Sequence, residues 1–295
     1  MLWWSMIVLE YAVVGTDGSY REPHPVRLRG ESEMAEYYTI RSVVKASQVL
    51  GAFTVDRPEL GVAELSRILR LNKTVVQKLV LTLLDQRLLQ QDLVSRKYRL
   101  GPRIVEIAGT FLAGNPLASE GSKCVQELAR EIGYSTGLGV LDGSQVLYMQ
   151  ASEANATIRA ASRMGDRMPL HATASGKCIL AFLSESERDS ILGNLVLEPF
   201  TPNTTTSPEV LLSELAAISK QGYAVNDGER IMGLCGVAAP VFDHEGNAIA
   251  AISVAIPRGV MPECSMDQVI QATLRSAEVL TNRLGGVQRR AATGP

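Results

Sequence analysis

No stretch of this 295-residue chain reaches the roughly 18 uninterrupted apolar residues that a membrane-spanning helix needs. With 46% hydrophobic and 20% charged residues the composition is that of a globular protein, and no membrane partner is expected. The apolar start, MLWWSMIVLEYAVVG, has no basic segment before it, is interrupted by Glu10 and lacks an A-x-A cleavage site, so export is not expected. Residues 16–36 are polar and contain Pro and Gly, which makes residues 1–37 a poorly ordered extension, or places the true start near Met34. The four cysteines show no C-x-x-C spacing. That excludes a disulfide framework and fits a reducing cytoplasm. With only three histidines, neither a metal site nor a cofactor is expected. Repeats and low-complexity tracts are also missing.

The net charge of −2 argues against indiscriminate binding of polyanions, but it hides an asymmetry. Residues 36–100 hold 11 Lys and Arg against 6 Asp and Glu, a net of +5, and the remainder nets −7. A small basic module joined to a larger acidic one points to a nucleic-acid contact at one end. In the basic module Ile40, Val43, Val44, Leu50 and Phe53 follow helical spacing up to the turn signal DRPELG. A second helix places Val62, Leu65, Ile68 and Leu69 on one face, and the short RLN break leads into a third. There Val76, Leu79, Val80 and Leu83 would face the core, with Asn72 as N-cap. The opposite face carries Lys73, Thr74, Gln77 and Lys78, residue types that reach phosphates and base edges. Taken alone this could be any solvated helix face. Two short strands follow, 88–92 and 97–100, with Val94, Ser95 and Arg96 in the turn and Lys97 at its edge. Helix, turn, helix and basic hairpin in that order make a winged helix-turn-helix that binds DNA.

The acidic module is joined through GPRIVEIAGTFLAGNP, whose apolar spacing predicts a linker helix that is also a candidate dimer contact. A helix to Ile132 and a hairpin turning at Asp142-Gly143 follow. Ser184-x-x-Glu187 reads as a capping box, and Ser207, Pro208 and Gly222 mark both ends of another helix. Strands over 237–242 and 248–256 and a last helix over 266–284 complete an α+β domain on an antiparallel sheet.

PLHATASGKCILAF concentrates His171, Ser175, Gly176, Lys177 and Cys178 in a few positions. A phosphate loop requires G-x-x-x-x-G-K-[ST]; here His171 stands at the first glycine and Cys178 at the hydroxyl position, so that chemistry fails. A hydrolase triad could use Ser175, His171 and Asp227, but no G-x-S-x-G elbow is present, and nothing near Cys178 or Cys235 would lower a thiol pKa. No catalytic residue is assigned. A binding site remains: Ser175 and Gly176 would precede a helix whose N–H groups meet an anion, or Ser175 would only cap that helix.

The segments RSVVKASQVLGAF, LGVAELSRILRLNKTVVQKLVLTLLDQRLLQQD and RKYRLGPRIVEIAG resemble the winged helix of the IclR family of bacterial transcriptional regulators. LHATASGKCILAFL, QGYAVNDGE and GVAAPVFDHEGNAIAAISVAIP resemble that family's GAF-like effector-binding domain. Two departures stand out: Arg87, and the turn Val94-Ser95-Arg96, occupy places where the family usually has glycine. The resemblance implies an extension over 1–37, a winged helix over 38–101, a linker helix over 102–115, an effector domain over 116–285 and a tail over 286–295. It also implies an effector cavity lined by Ala160, Met168, Ala174, Ser175, Asn226, Leu234, Gly236, Ser253 and Ala255. Asn226 and Ala255 replace an acidic residue and a hydroxyl that occur in the family, so the expected ligand is a small organic acid with an aromatic or apolar body. Met168 and Leu234 would contact that body, and Ser175 and Ser253 its polar end. The expected protein is a cytoplasmic regulator that binds double-stranded operator DNA as a homodimer or a tetramer. The alternative is a small-molecule enzyme with an accessory winged helix.

Overall fold

The computed structural model describes residues 39–153, 162–258 and 265–287, together with a two-residue antiparallel pair, β1 (Val13–Val14) and β2 (Tyr20–Arg21). The rest of the expected 1–37 extension, Ala160, Cys264 and residues 288–295 of the tail lie outside the described residues. Chain contacts divide the molecule into two compact units, 1–114 and 115–295.

The basic unit contains α1 (Arg41–Gly51), α2 (Val62–Leu69), α3 (Lys73–Asp85), β3 (Leu89–Gln91), β4 (Tyr98–Leu100) and α4 (Arg103–Ala113). Its core joins Val49 and Phe53 to Leu65, Leu69, Val76, Val80, Leu83, Leu89 and Tyr98. Each large side chain buried this way stabilises the fold by about 1.5–3 kcal/mol. The first turn of α1 departs from expectation: Ile40 and Val43 are 65% and 59% exposed, because this core is filled by the other end of the helix. The wing is anchored twice. Leu60 and Tyr98 exchange backbone hydrogen bonds of 2.9 Å in both directions, and Lys97 Nζ lies 3.2 Å from Glu64 Oε1 on α2.

The second unit contains α5 (Pro116–Ile132), β5 (Ser135–Asp142), β6 (Gln145–Ser152), β7 (Arg167–Pro169), α6 (Ala174–Phe182), α7 (Glu185–Leu192), α8 (Pro208–Gln221), β8 (Ala224–Asp227), β9 (Leu234–Phe242), β10 (Ala248–Pro257) and α9 (Met266–Arg283). Six antiparallel strands run in the order β7-β6-β5-β10-β9-β8, two hairpins joined through β5 and β10. Helices α5 and α9 cover one face, where Gly121 of α5 leaves room for Leu138 of β5. On the other face α6 and α8 bury Ile179, Leu180, Leu211 and Leu215, and Phe182 meets Phe242 edge-on at 5.5 Å. The described residues thus combine a mainly α winged helix with an α+β, GAF-like domain.

Candidate nucleic-acid interface and ligand site

Two sites emerge, one in each unit. On α3, Asn72 caps the helix by accepting the Thr74 N–H at 2.9 Å, and the buried stripe Val76, Val80, Leu83 fixes the rotation of the helix. Lys73, Thr74 and Lys78 are consequently exposed and Gln77 is half-buried on the side away from the core. Leu81 is 49% exposed one turn beyond Gln77 and Lys78, an apolar group on the same side that sequence reasoning passed over. In the wing, Asp92 Oδ1 accepts the N–H groups of Val94 and Ser95 at 3.0 and 2.6 Å. These bonds hold its carboxyl below the ordinary carboxylate range. Arg96 then closes the turn with a left-handed backbone, φ 58°. Of the two wing cations expected to meet DNA, Arg96 is exposed, whereas Lys97 is engaged with Glu64.

The second site lies between α6 and the sheet. Residues directly opposite on neighbouring strands share a face, as do alternate residues along a strand. Asn226 pairs with Gly236, and Gly236 with Ala255; one step along, Ala238 pairs with Ser253, and Ser253 with Gly137. All six therefore look toward α6. A Cβ on Gly236 would stand 3.3 Å from that of Ala174, and a Cβ on Gly139 would stand 3.6 Å from Ser175 Cβ. Small residues thus form a floor under the start of α6. Met168 pairs with Val146 and packs at the edge of the same cluster, and Leu234 begins the strand that carries Gly236.

The polar centre of this site is a trio of hydroxyls. Tyr148 Oη lies 2.9 Å from Ser175 Oγ and 3.5 Å from Ser253 Oγ, all three residues buried. Tyr148 was missed by sequence reasoning. Its alternation in β6 showed only a strand residue, and the contact depends on β6 lying beside β5 beneath α6. One expectation changes, at the cap of α6, and two further contacts tie the site into the fold. Thr173, not Ser175, caps α6, accepting the Gly176 N–H at 3.1 Å, so one of the two N–H groups assigned to an anion is already used. Asn226 donates to the Ala172 carbonyl at 2.9 Å and accepts weakly from the Glu229 N–H at 3.4 Å, pinning the loop before α6. Lys177 is buried and spans two carboxylates, Glu229 at 2.5 Å and Glu214 at 2.6 Å. A cleft of about 290 Å³ lies elsewhere, between α5 and the end of β6, bordered by Gln126, Arg130 and Ser152. None of the described residues expected to meet a ligand borders it.

Among the described residues, no side chain of this site is set up as a nucleophile. His171 Nε2 pairs with the Glu198 carbonyl at 3.0 Å and its ring stacks on Phe200, while Ser175 bonds to Tyr148. Burial pushes the thiols of Cys178 and Cys235 up from their ordinary values, away from the reactive thiolate.

A winged helix with an exposed polar reading face, followed in the chain by a GAF-like domain with a polar centre under a helix N-terminus, defines a two-domain transcriptional regulator. The comparisons carry this to the family. The family model for the bacterial transcriptional regulator IclR C-terminal domain matches residues 110–282, and that for the IclR helix-turn-helix domain matches residues 42–93. The regulator XynR of Escherichia coli is 34% identical, over 83% of this chain and 98% of its own. An IclR transcriptional regulator from Alicyclobacillus acidocaldarius shares the fold with a TM-score of 0.76 at 25% identity, covering 84% of this chain and 100% of its own. An IclR homologue from Microbacterium hydrocarbonoxydans, solved with 4-hydroxybenzoate, gives 0.74 at 25% identity, covering 82% of this chain and 98% of its own. The chain belongs to the IclR family of transcriptional regulators.

Proposed function

We propose that this regulator acts in the cytoplasm, reads a pseudo-palindromic operator with α3, and answers to a small organic acid held under the start of α6. The observation that carries the first part is the placement of Lys73, Thr74, Gln77 and Lys78 opposite the buried stripe of α3. Lysine supplies charge to phosphates, threonine a hydroxyl or methyl, and glutamine a bidentate bond to adenine. Arg96 extends the contact along the backbone from the wing. Two such helices meet successive major-groove faces when a symmetric assembly spaces them about one turn of DNA apart. Exposed Val105, Ile107 and Phe111 on α4 and Val43 and Val44 on α1 are apolar surface suited to a homodimer, or to a dimer of dimers.

The hydroxyls of Ser175, Ser253 and Tyr148 over a floor of small residues suit the carboxylate end of the ligand, with Met168, Ala174 and Leu234 toward its body. The aromatic acid bound by the Microbacterium homologue supports this chemistry. Two cations of this unit are committed elsewhere, Lys177 to Glu214 and Glu229 and Arg258 to Asp227. The hydroxyl trio would supply neutral donors to the acid. The test is a gel-shift with the intergenic DNA upstream of the gene, with and without 4-hydroxybenzoate and aliphatic acids. Salt-sensitive binding that an acid alters is the expected result. Binding that no salt or acid changes would overturn the proposal.

A further inference from the structure

Among the described residues, three without glycine's freedom hold a left-handed backbone, and all three are exposed arginines of the basic unit. They are Arg70 (φ 52°), Arg87 (φ 59°) and Arg96 (φ 58°). This conformation brings Cβ against the carbonyl oxygen, so glycine is the favoured occupant and asparagine or aspartate the usual second choice. Arginine is neither. A long cation kept at such a position calls for something that uses it. For Arg87 the fold supplies that partner, because its guanidinium pairs with Glu106 of α4 at 3.3 Å. The side chains of Arg70 and Arg96 have no hydrogen-bond or ion-pair partner among the described residues.

Arg70 closes α2, its N–H bonded to the Ser66 carbonyl, and stands two residues before Asn72, the cap of α3. It therefore occupies the turn that delivers α3, whose polar face begins at Lys73. Arg96 occupies the corresponding strained position in the wing, on the C-terminal side of α3 in the chain. The phosphates bordering a groove are the anions nearest to the entry point of a helix lying in it. We propose that Arg70 is a phosphate contact, gripping the DNA backbone from the turn before α3 as Arg96 does from the wing after it. This rests on the reading of the unit as a DNA-binding winged helix.

The charge and the strain can be separated by substitution. Fluorescence anisotropy of the full chain on a labelled random-sequence duplex measures affinity against salt, and thermal unfolding measures the backbone effect. Arg70→Gly is expected to raise the unfolding midpoint by a few degrees while weakening binding about 3- to 10-fold. It should also flatten the plot of log affinity against log salt by about 0.9 for each Arg70 engaged. Arg70→Lys, which keeps the charge and the strain, should retain most of the slope. Arg87→Gly should raise the midpoint and leave the slope unchanged. An Arg70→Gly slope equal to that of the wild type would overturn the proposal. A wild-type chain that binds no duplex even at low salt would instead remove the DNA reading beneath it.

Discussion

Two sets of cations, one in each unit, are used in opposite ways. In the basic unit Lys73, Lys78, Arg70 and Arg96 are exposed, and two of these four hold backbone positions that glycine would occupy at lower cost. In the second unit Lys177 is 2% exposed and sits between Glu229 and Glu214, matched by two carboxylates inside the fold. An exposed cation with no internal partner is available to a polyanion; a buried one is part of the architecture, because an unpaired buried charge is too costly to keep. A glycine-lysine pair next to a serine fails the phosphate-loop spacing in the sequence, and in the structure the lysine belongs to the core.

The largest effect should come from breaking that internal pairing. Lys177→Met leaves Glu229 buried and Glu214 half-buried beside an apolar side chain, and is expected to cost about 3–5 kcal/mol of stability, read as a lowered midpoint in thermal or urea unfolding. DNA affinity per folded molecule should not change. A Lys177→Met protein as stable as the wild type would erase the contrast between the units. The reverse experiment targets the exposed side. Gln77→Ala should cost about 1–3 kcal/mol at one operator position and relax specificity there, whereas Lys78→Ala should weaken binding uniformly and flatten the salt slope. Both proteins should unfold as the wild type does. Unchanged operator affinity in both would mean that α3 presents another face.

Local chemistry made much of this legible in advance. Asn72, Ser184 and Ser207 act as caps, and the hairpin turns after Asp142, because each depends on neighbours within a few residues. Strand β8 escaped notice because Asn226 and Asp227 carry turn chemistry, and only pairing with β9 makes them extended. The pairing of Lys97 escaped notice for a similar reason: Glu64, its partner, lies 33 residues away in the chain. The two places where arginine replaced an expected glycine were visible as departures, but their shared left-handed backbone was not. The side chains on β7 to β10 proposed to meet a ligand were legible only through resemblance. Their common face follows from sheet order, and Tyr148 enters the site only when β5 and β6 are laid side by side.

A smaller effect should separate the two roles of the hydroxyl trio. Tyr148→Phe removes one hydrogen bond that also braces Ser175, so about 1 kcal/mol of stability is at stake. Ser175→Ala and Ser253→Ala leave Tyr148 one partner each. If the trio receives a carboxylate, calorimetric titration should show acid binding weakened about 10-fold in each variant, a loss of roughly 1.4 kcal/mol. Unchanged affinity in all three would leave the trio a purely internal brace, and the second unit would bind its ligand elsewhere.

The smallest effect is a change of slope with pH. Burial raises the Glu229 carboxyl above its ordinary 4.5, ahead of the opposing pull of Lys177, and the neighbouring carboxylate of Glu214 adds to the rise. Between the ordinary and the raised value the folded chain binds more protons at this position than the unfolded chain. The Glu229 contribution to stability is therefore fully present below the ordinary value and lost as pH rises through the raised one. Glu64 in the basic unit has the opposite sign. The Gly61 N–H at 2.7 Å and then Lys97 lower its carboxyl, so its contribution is lost as pH falls below the carboxylate range. Unfolding midpoints measured from acid to neutral pH on Glu229→Gln and Glu64→Gln should tilt in opposite directions relative to the wild type. Parallel curves would show that Lys177 holds Glu229 charged throughout, and that the buried cluster is matched as closely as the exposed pair.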